Sequence, residues 1–139
     1  MAALPEDLQR AEIETEATRA QSIGLAASGL FRPPYGSFNR ATLKVLASLR
    51  MLMVLWSVDA QDYRLPGASV IIKRVLDGAR PGAIVLLHDG GGNRSQTLAA
   101  VPLIVRELRR RGFRLVTVPE LLLDNRPSSH QAVPLNVGG

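Results

Sequence analysis

The sequence predicts an α/β protein with about four parallel strands that alternate with helices, arranged as a parallel sheet or as part of a (β/α) barrel. Short apolar runs typical of buried strands alternate with amphipathic helical segments along the chain. Alternation of strands and helices with short connections favours a parallel arrangement of the strands with right-handed crossovers. A chain of 139 residues has room for one domain. We expect residues 1–124 to form it and residues 125–139 to be a flexible tail.

Each predicted element has its own local signal. Pro5, followed by two acidic residues, favours a helix start, and Asn39 or Ser37 can cap the second helix. The almost unbroken apolar run MLMVLWSV is typical of a strand buried on both faces. The predicted elements, in chain order, are a helix to about residue 20, a strand at 30–32, a helix after residue 39, a strand at 51–58, a helix around 70–76, a strand at 83–87, a helix at 97–111, a strand at 113–118 and a short helix from residue 119.

The composition excludes several classes of protein. No apolar run approaches the ~18 residues that a membrane span needs, and without cysteine neither a disulfide framework nor a thiolate metal site can form. The two histidines, His88 and His130, are too few for a zinc site made of histidines from this chain. The arginine cluster in RELRRRGFR, residues 106–114, is explained by a helix C-terminus and lacks the aromatic interleaving of a nucleic-acid surface. We therefore expect no membrane span and no nucleic-acid partner.

Polar side chains follow three of the predicted strands, at the points where the strands end. In parallel α/β proteins these ends meet at one edge of the sheet, where catalytic groups gather. A histidine, several carboxylates and an arginine at one edge predict a site that no single residue would justify. The residues are Arg32 and Tyr35 after the first strand, Asp59 and Asp62 after the second, and His88 and Asp89 after the third.

His88 is the central candidate of this predicted site. A lone histidine is more often structural than catalytic, but one at a strand end that faces carboxylates is better placed for proton transfer. An imidazole titrates near neutral pH, and a carboxylate beside it stabilises its protonated form, which can then donate to a leaving amine or alcohol. We predict that Asp59 orients His88, and that Asp62 and Asp89 are loop caps or turn residues.

The glycine run after His88 offers an alternative, a site for an anion at residues 90–95. A strand, a Gly-rich turn and a helix N-terminus can hold phosphate with backbone N–H groups. However, GGGNRS has neither the lysine and hydroxyl of a P-loop nor the third glycine of a dinucleotide-binding turn. A serine hydrolase is disfavoured as well, because the chain has no G-x-S-x-G elbow.

Three ordered segments resemble the polysaccharide deacetylases of the NodB-homology type, a carbohydrate esterase family. They are FRPPYG at 31–36, LWSVDAQDY at 55–63 and IVLLHDGGGNRSQT at 84–97, and the closing RRRGFRLVTVPEL also looks like the end of that domain. The resemblance runs over residues 1–124. It implies a deformed (β/α) barrel, and a hydrolase that acts on carbon–nitrogen bonds other than peptides and removes N-acetyl groups from chitin-like or peptidoglycan-like sugars.

The resemblance also implies a role for each matching residue. Removing an acetyl group needs a proton donor for the departing nitrogen and stabilisation of a tetrahedral oxyanion. Tyr63 stands where the family usually has tryptophan, a change that could reshape the acetyl pocket. By resemblance, Arg32 braces the catalytic base, the backbone N–H of Tyr35 helps hold the oxyanion, Asp59 tunes the catalytic histidine, Leu86 forms the apolar wall beside the acetyl methyl group, and His88 is the general acid.

The metal-binding half of the family's site has no counterpart in this sequence. The resemblance implies an upstream Thr-Phe-Asp-Asp segment with the base and a ligand, and a His-x-x-x-His segment with two more ligands for Zn²⁺ or a similar divalent ion. Neither segment is present, and MAALPEDLQRAEI resembles the stretch that follows the second metal histidine. We therefore expect this chain to begin just after the metal site, to bind no metal itself, and to have little or no activity alone.

These observations predict the C-terminal portion of a carbohydrate deacetylase whose partner is an N-acetylated polysaccharide. Two alternatives stay open, a glycan-binding remnant without turnover and, less favoured, an anion-binding module. An incomplete barrel exposes a sheet edge, so we expect the chain to be marginally stable or to self-associate. The N-terminus lacks the pattern of a secretory signal, although the resemblance makes an extracellular or cell-envelope location the expectation for the complete protein.

Overall fold

The computed structural model describes residues 1–26 and 29–124. These residues form two compact units, one comprising residues 1–55 and one that begins at Trp56. The tail predicted at 125–139 lies outside the described residues. Within the described ranges, no helix is long and apolar enough to cross a membrane.

The first unit packs two helices and a two-stranded parallel sheet. Helix α1 (Glu6–Ser22) is followed by strand β1 (Leu30–Phe31), a 3₁₀ turn, helix α2 (Arg40–Ser48) and strand β2 (Leu52–Met53). Leu30 pairs with Leu52 and Phe31 with Met53. The small core of this unit contains Ile13 of α1 and Val45 and Leu46 of α2.

A polar network connects the N-terminal segment of this unit to α2. Asn39 caps α2, because its side-chain oxygen accepts a hydrogen bond from the backbone N–H of Thr42, whose hydroxyl in turn accepts from Asn39 N–H. The fully buried Gln9 donates to Leu4 O at 2.8 Å and to Asn39 Oδ1 at 3.3 Å. A buried amide needs such partners, so Gln9 fixes α1 against the start of α2. Of the two caps predicted for this helix, Asn39 is the one confirmed.

The second unit packs two long amphipathic helices on a second two-stranded parallel sheet. Helix α3 and helix α4 contact each other along their apolar faces, and the core between them includes Ile71, Val75, Ala100 and Ile104. A short helix closes the described part of the chain. The elements are β3 (Val58–Asp59), a 3₁₀ turn (Asp62–Arg64), α3 (Ala68–Gly78), β4 (Val85–Leu86), α4 (Ser95–Arg110) and α5 (Val118–Asp124).

Two of the predicted strands are wrong. The apolar run at 51–58 is two short strands in different sheets, β2 and β3, and Leu52 is 55% exposed rather than buried on both faces. Residues 113–117 are not in a strand, although Phe113 packs on the core. Both strands were predicted from the apolar residues of the segment alone. A strand also needs a neighbouring segment that takes up its backbone hydrogen bonds, and the apolar pattern does not indicate one.

The arginine cluster at the end of α4 is paired locally. Arg110 makes a two-pronged contact with Glu107, with both distances 2.7 Å, and Arg111 contacts the same carboxylate at 2.9 Å. These hydrogen bonds lower the pKa of Glu107 to about 2. Arg111 also donates to Leu76 O at the end of α3. Helix-terminal pairing therefore accounts for part of the cluster, in agreement with the structural interpretation of the sequence.

Candidate functional site

The strand register decides which side chains share a face of the second sheet. Val58 pairs with Val85 and Asp59 with Leu86. Val85 and Leu87 pack against the core between α3 and α4. Because successive side chains of an extended segment point to opposite faces, Asp59, Leu86 and His88 lie on the face turned away from that core. This places the predicted apolar wall, Leu86, on the same face as His88.

His88 forms a close pair with a buried aspartate, Asp62. The Nδ1 atom of His88 lies 2.7 Å from Oδ1 of Asp62, and the backbone N–H of His88 donates to Oδ2 at 2.9 Å. The Asp62 side chain is completely buried, whereas that of His88 is 35% exposed. The imidazole therefore has one nitrogen bound to a buried carboxylate and a ring edge that solvent or a ligand can reach.

The surroundings of Asp62 keep its carboxylate ionised. Burial by itself raises the pKa of Asp62, but hydrogen bonds from the His88 ring, the His88 backbone N–H and the Thr97 hydroxyl outweigh it, so the pKa is lowered. Thr97 Oγ1 lies 2.8 Å from Asp62 Oδ2. An ionised carboxylate only accepts hydrogen bonds, so Nδ1 of His88 carries hydrogen. The neutral imidazole thus presents a free lone pair on Nε2, and the protonated form can donate from the same atom.

The structure corrects the predicted roles of the two aspartates. Asp59 accepts the backbone N–H of Gln61 at 2.8 Å and so caps the turn, while Asp62, predicted to be a cap, is the partner of His88. The parallel register explains the exchange. Asp59 pairs with Leu86, two residues before His88, and so lies about 6.6 Å short of His88 along the strand at ~3.3 Å per residue. Only a carboxylate beyond the strand end reaches the ring.

The turn that carries Asp62 has an unusual backbone. The residues on either side of the 3₁₀ segment, Gln61 and Leu65, both have left-handed conformations, with φ of 50° and 53°. Each costs roughly 1 kcal/mol for a residue with a side chain, and such conformations persist where the surroundings fix them. The three hydrogen bonds of the buried Asp62 are the contacts that hold this turn in place.

Tyr63 lies against the exposed edge of the pair. Its ring meets the His88 ring edge to face, with the centroids 5.4 Å apart and the planes at 77°. The Arg64 guanidinium lies over the ring of Tyr63, 5.7 Å from its centroid. Tyr63 is 43% exposed. An aromatic side chain therefore lies beside the His88 ring, two residues after the strand position of Leu86.

In the glycine-rich loop at residues 90–95, the predicted alternative site for an anion, side chains of the loop itself bind its backbone groups. The Arg94 guanidinium donates to Gly90 O at 2.8 Å and to Gly91 O at 2.9 Å. At the start of α4, the backbone N–H of Ser95 donates to Asn93 Oδ1 at 3.0 Å. Asp89 is exposed beside this loop. Since the loop is closed by Arg94 and the first helical N–H is capped by Asn93, the geometry disfavours the phosphate interpretation.

Arg32 and Tyr35 belong to the first unit, and their implied roles stay predictions. Arg32 donates to the backbone oxygens of Val54 and Leu55, at 3.3 and 3.5 Å, and so fixes the segment after β2. Tyr35 has a left-handed backbone, with φ of 57°, and its side chain is 94% exposed. Such a backbone in a Pro-Tyr-Gly turn is a feature typical of functional loops.

The described residues do not fit a metal ion. Nowhere in residues 1–26 and 29–124 do three His, Asp, Glu or Cys side chains come together as ligands. A catalytic zinc site needs three protein ligands and a bound water. We therefore assign no catalytic step to a metal held by these residues, and the expectation that the chain binds none stays a prediction.

The lowered pKa of Asp62 predicts a loss of stability in acid. Asp62 releases its proton more readily in the folded chain than in the unfolded chain, so its contribution is complete above the ordinary aspartate pKa of 3.8 and is lost as the pH falls through the lowered value. We expect the free energy of unfolding, measured in urea between about pH 6 and pH 3, to fall more steeply for the natural chain than for Asp62→Asn. Equal slopes would contradict the linkage.

The fold and the pair define a class of protein: α/β proteins that carry polar groups, here a His–Asp pair, at the carboxyl ends of parallel strands, the edge where such folds place their functional sites. No protein-family model matches the chain. A peptidoglycan-N-acetylglucosamine deacetylase of Bacillus cereus is 48% identical over 95 residues, which cover 67% of this chain and 45% of that protein. A chitooligosaccharide deacetylase of Azorhizobium caulinodans is 41% identical over 100 residues, covering 64% of this chain and 48% of that protein.

A solved structure agrees with these relatives. A pseudoenzyme of carbohydrate esterase family 4 from Bacillus anthracis matches with a TM-score of 0.81 and 29% identity, over 88% of this chain and 42% of that one. The chain belongs to the polysaccharide deacetylases of carbohydrate esterase family 4, the NodB type, and the predicted partial (β/α) barrel is confirmed. It spans about half the length of the curated relatives it matches.

Proposed function

We propose that this chain is the proton-donating part of an enzyme that hydrolyses N-acetyl groups of amino-sugar polymers. The observation that carries the proposal is the pair of a buried, ionised Asp62 and a partly exposed His88 whose Nε2 has no hydrogen-bond partner among the residues that the structure describes. The two relatives are named for peptidoglycan and for chitooligosaccharides, and both names describe removal of acetyl from an N-acetylated amino sugar. The proposal takes this substrate class, an N-acetylated glycan, over to the present chain.

In the proposed hydrolysis, His88 donates one proton to the departing nitrogen. After the oxygen of a water molecule has added to the acetyl carbon, the bond between that carbon and the sugar nitrogen breaks, the nitrogen gains a proton and leaves as an amine, and acetate is the other product. Protonated His88 supplies that proton from Nε2, while Asp62 stabilises the charge of the imidazolium and holds the ring by Nδ1. Proton transfer of this kind contributes about 10²- to 10⁴-fold to a rate. The attack on the acetyl carbon is not assigned to the described residues.

Leu86 and Tyr63 are proposed to contact the substrate. Leu86 lies on the His88 face of the sheet, and the ring of Tyr63 touches that of His88. A methyl group gains from apolar contact, and an aromatic ring suits the apolar face of a sugar. In this arrangement the two side chains accept the acetyl group while the free nitrogen of His88 faces the scissile bond.

A titration with chitotetraose tests the binding part of the proposal. We expect the NMR signals of the His88 and Tyr63 rings to shift on addition of the N-acetylated tetramer and not on addition of the same tetramer without acetyl groups. Tyr63→Ala is expected to weaken binding several-fold, because it removes an aromatic contact of about 0.5–1.5 kcal/mol. Released acetate is measured in the same samples with added Zn²⁺, and little or none is expected.

The outcomes of this titration separate binding of an N-acetylated glycan from binding of an anion, and show whether the chain releases acetate. Binding of the tetramer without any acetate release supports both the proposal and its alternative, a glycan-binding protein without turnover, to which the pseudoenzyme relative lends support. Substantial Zn²⁺-dependent acetate release would show that the chain holds a complete site. If inorganic phosphate, but not the tetramer, shifts signals in residues 90–95, the anion-binding function is favoured and the proposal fails.

Self-association and location extend the proposal to the behaviour of the chain. Within the described residues each sheet has only two strands, and Leu52 on β2 is 55% exposed. Open strand edges and exposed apolar side chains favour association. We expect analytical ultracentrifugation to show an equilibrium between monomers and multimers of the whole chain. A monomer at all concentrations would contradict this expectation. We also propose an extracellular or cell-envelope location for the complete protein, which the relative named for peptidoglycan supports.

A further inference from the structure

Thr97 is a polar residue in an apolar stripe. Helix α4 buries Thr97, Ala100, Ile104 and Leu108 along one face, at helical spacing, and Thr97 is only 4% exposed. The other three residues of the stripe are apolar. A valine would fill the same volume at this position without the cost of burying a hydroxyl, so packing alone does not account for a threonine there.

The Thr97 hydroxyl has a specific acceptor. Its Oγ1 lies 2.8 Å from Oδ2 of Asp62, and because an ionised carboxylate only accepts, Thr97 is the donor. The same oxygen accepts the backbone N–H of His88 at 2.9 Å. Two donors from different elements, α4 and the segment after β4, therefore hold Oδ2, which leaves Oδ1 directed at Nδ1 of His88.

Fixing Oδ2 fixes the plane of the carboxylate. A carboxyl group held at one oxygen by a single donor can turn about its terminal bond, and the turn would move Oδ1 away from the imidazole. With two donors at Oδ2, turning breaks two hydrogen bonds at once. The hydroxyl of Thr97 thus contributes to the orientation of His88 without touching the ring.

We propose that Thr97 is a positioning residue, which holds the Asp62 carboxylate so that His88 keeps its hydrogen on Nδ1 and offers Nε2 to the substrate. The role of Nε2 rests on the proposed function. The positioning itself does not, because it concerns atoms of this chain alone and can be measured without any glycan.

Two matched variants test the inference in the full chain. Thr97→Val keeps the shape and removes the donor, while Thr97→Ser keeps the donor and removes a methyl group. In the valine variant we expect the carboxyl titration of Asp62, followed by ¹³C NMR, to move upward toward the ordinary aspartate value, and the ¹⁵N signals of His88 to show a mixture of tautomers. The serine variant should restore both signals to those of the natural chain. A packing role would give the reverse pattern, with valine neutral and serine disruptive.

A measurement on the natural chain decides the matter if the valine variant does not fold. The hydroxyl proton of Thr97 should be visible by NMR, protected from exchange at neutral pH, and should lose that protection as Asp62 becomes protonated. If the Thr97 hydroxyl proton exchanged with water as fast as that of an exposed threonine, the inference would be overturned. A folded valine variant with unchanged Asp62 and His88 signals would overturn it as well. Failure of glycan binding alone would count against the proposed function and leave the role of Thr97 intact.

Discussion

Replacing Asp62 with asparagine is expected to lower the free energy of unfolding by about 3 kcal/mol and to reverse the tautomer of His88. Asp62 is completely buried and accepts three hydrogen bonds. Hydrogen bonds to a charged group contribute about 1.5–3 kcal/mol each, and a buried group left with the wrong partner costs more than the bond itself. The substitution is nearly isosteric, so the change of charge and of donors dominates the effect.

The tautomer reverses because the side-chain amide of the asparagine has one oxygen and one NH₂ group, and the neighbouring donors determine which of the two faces the imidazole. The backbone N–H of His88 and the hydroxyl of Thr97 both donate toward the position of Oδ2, so the amide oxygen stays there. The NH₂ group then faces Nδ1, which can only accept from it in the neutral ring. The hydrogen of His88 consequently moves to Nε2, and a protonated donor at Nδ1 is no longer tolerated.

Asp59→Asn is the control for this prediction. Asp59 accepts a single backbone N–H, from Gln61, and an asparagine oxygen can take that bond as well. We expect urea denaturation to show a change of less than about 0.5 kcal/mol, and the ¹⁵N signals of His88 to keep the hydrogen on Nδ1. If Asp59→Asn altered the tautomer and Asp62→Asn did not, the assignment of Asp62 as the partner of His88 would be wrong.

The helices were predictable because their signals are local. Apolar spacing and nearby caps place α2, α3 and α4 within a few residues of their observed bounds. The strands were not, because the run at 51–58 and the segment at 113–118 are both rich in apolar residues, and which part of them finds a hydrogen-bonding neighbour depends on residues far away in the chain. An apolar run can be recognised in one segment, whereas strand pairing, and the burial that comes with it, depends on a second segment.

In the candidate site, too, local features were predictable from the sequence and features that depend on distant residues were not. The sequence places His88 at a strand end with an apolar run before it, and the structure puts it there, on the same face of the sheet as Leu86. The choice between Asp59 and Asp62 depends on how two strands are staggered, which no local pattern reports. No local pattern indicates Thr97 either, because it lies nine residues after His88 and meets Asp62 only where α4 packs beside the turn that carries Asp62.

Gly78→Ala is expected to destabilise the chain by about 2 kcal/mol, although alanine is the better helix former. Gly78 is the last residue of α3, and a Cβ atom there would lie 2.9 Å from both γ carbons of Val58, closer than carbon atoms approach in folded proteins. Val58 is buried and β-branched, so its methyl groups have no free rotamer to adopt. Overpacking costs about 1–3 kcal/mol, against a helix-propensity gain of at most about 1 kcal/mol.

A double-mutant cycle with Val58→Ala separates the clash from other effects. Val58→Ala alone should destabilise the chain because it removes two buried methyl groups, but in that background Gly78→Ala should become neutral or stabilising, with a coupling energy of about 1–2 kcal/mol in urea denaturation. The same contact sets the distance between α3 and β3, and the turn that carries Asp62 begins three residues after β3's end. We therefore expect Gly78→Ala to broaden the ¹⁵N signals of His88 as well. A stabilised Gly78→Ala chain in the natural background would show that α3 and β3 are not in close contact at this point.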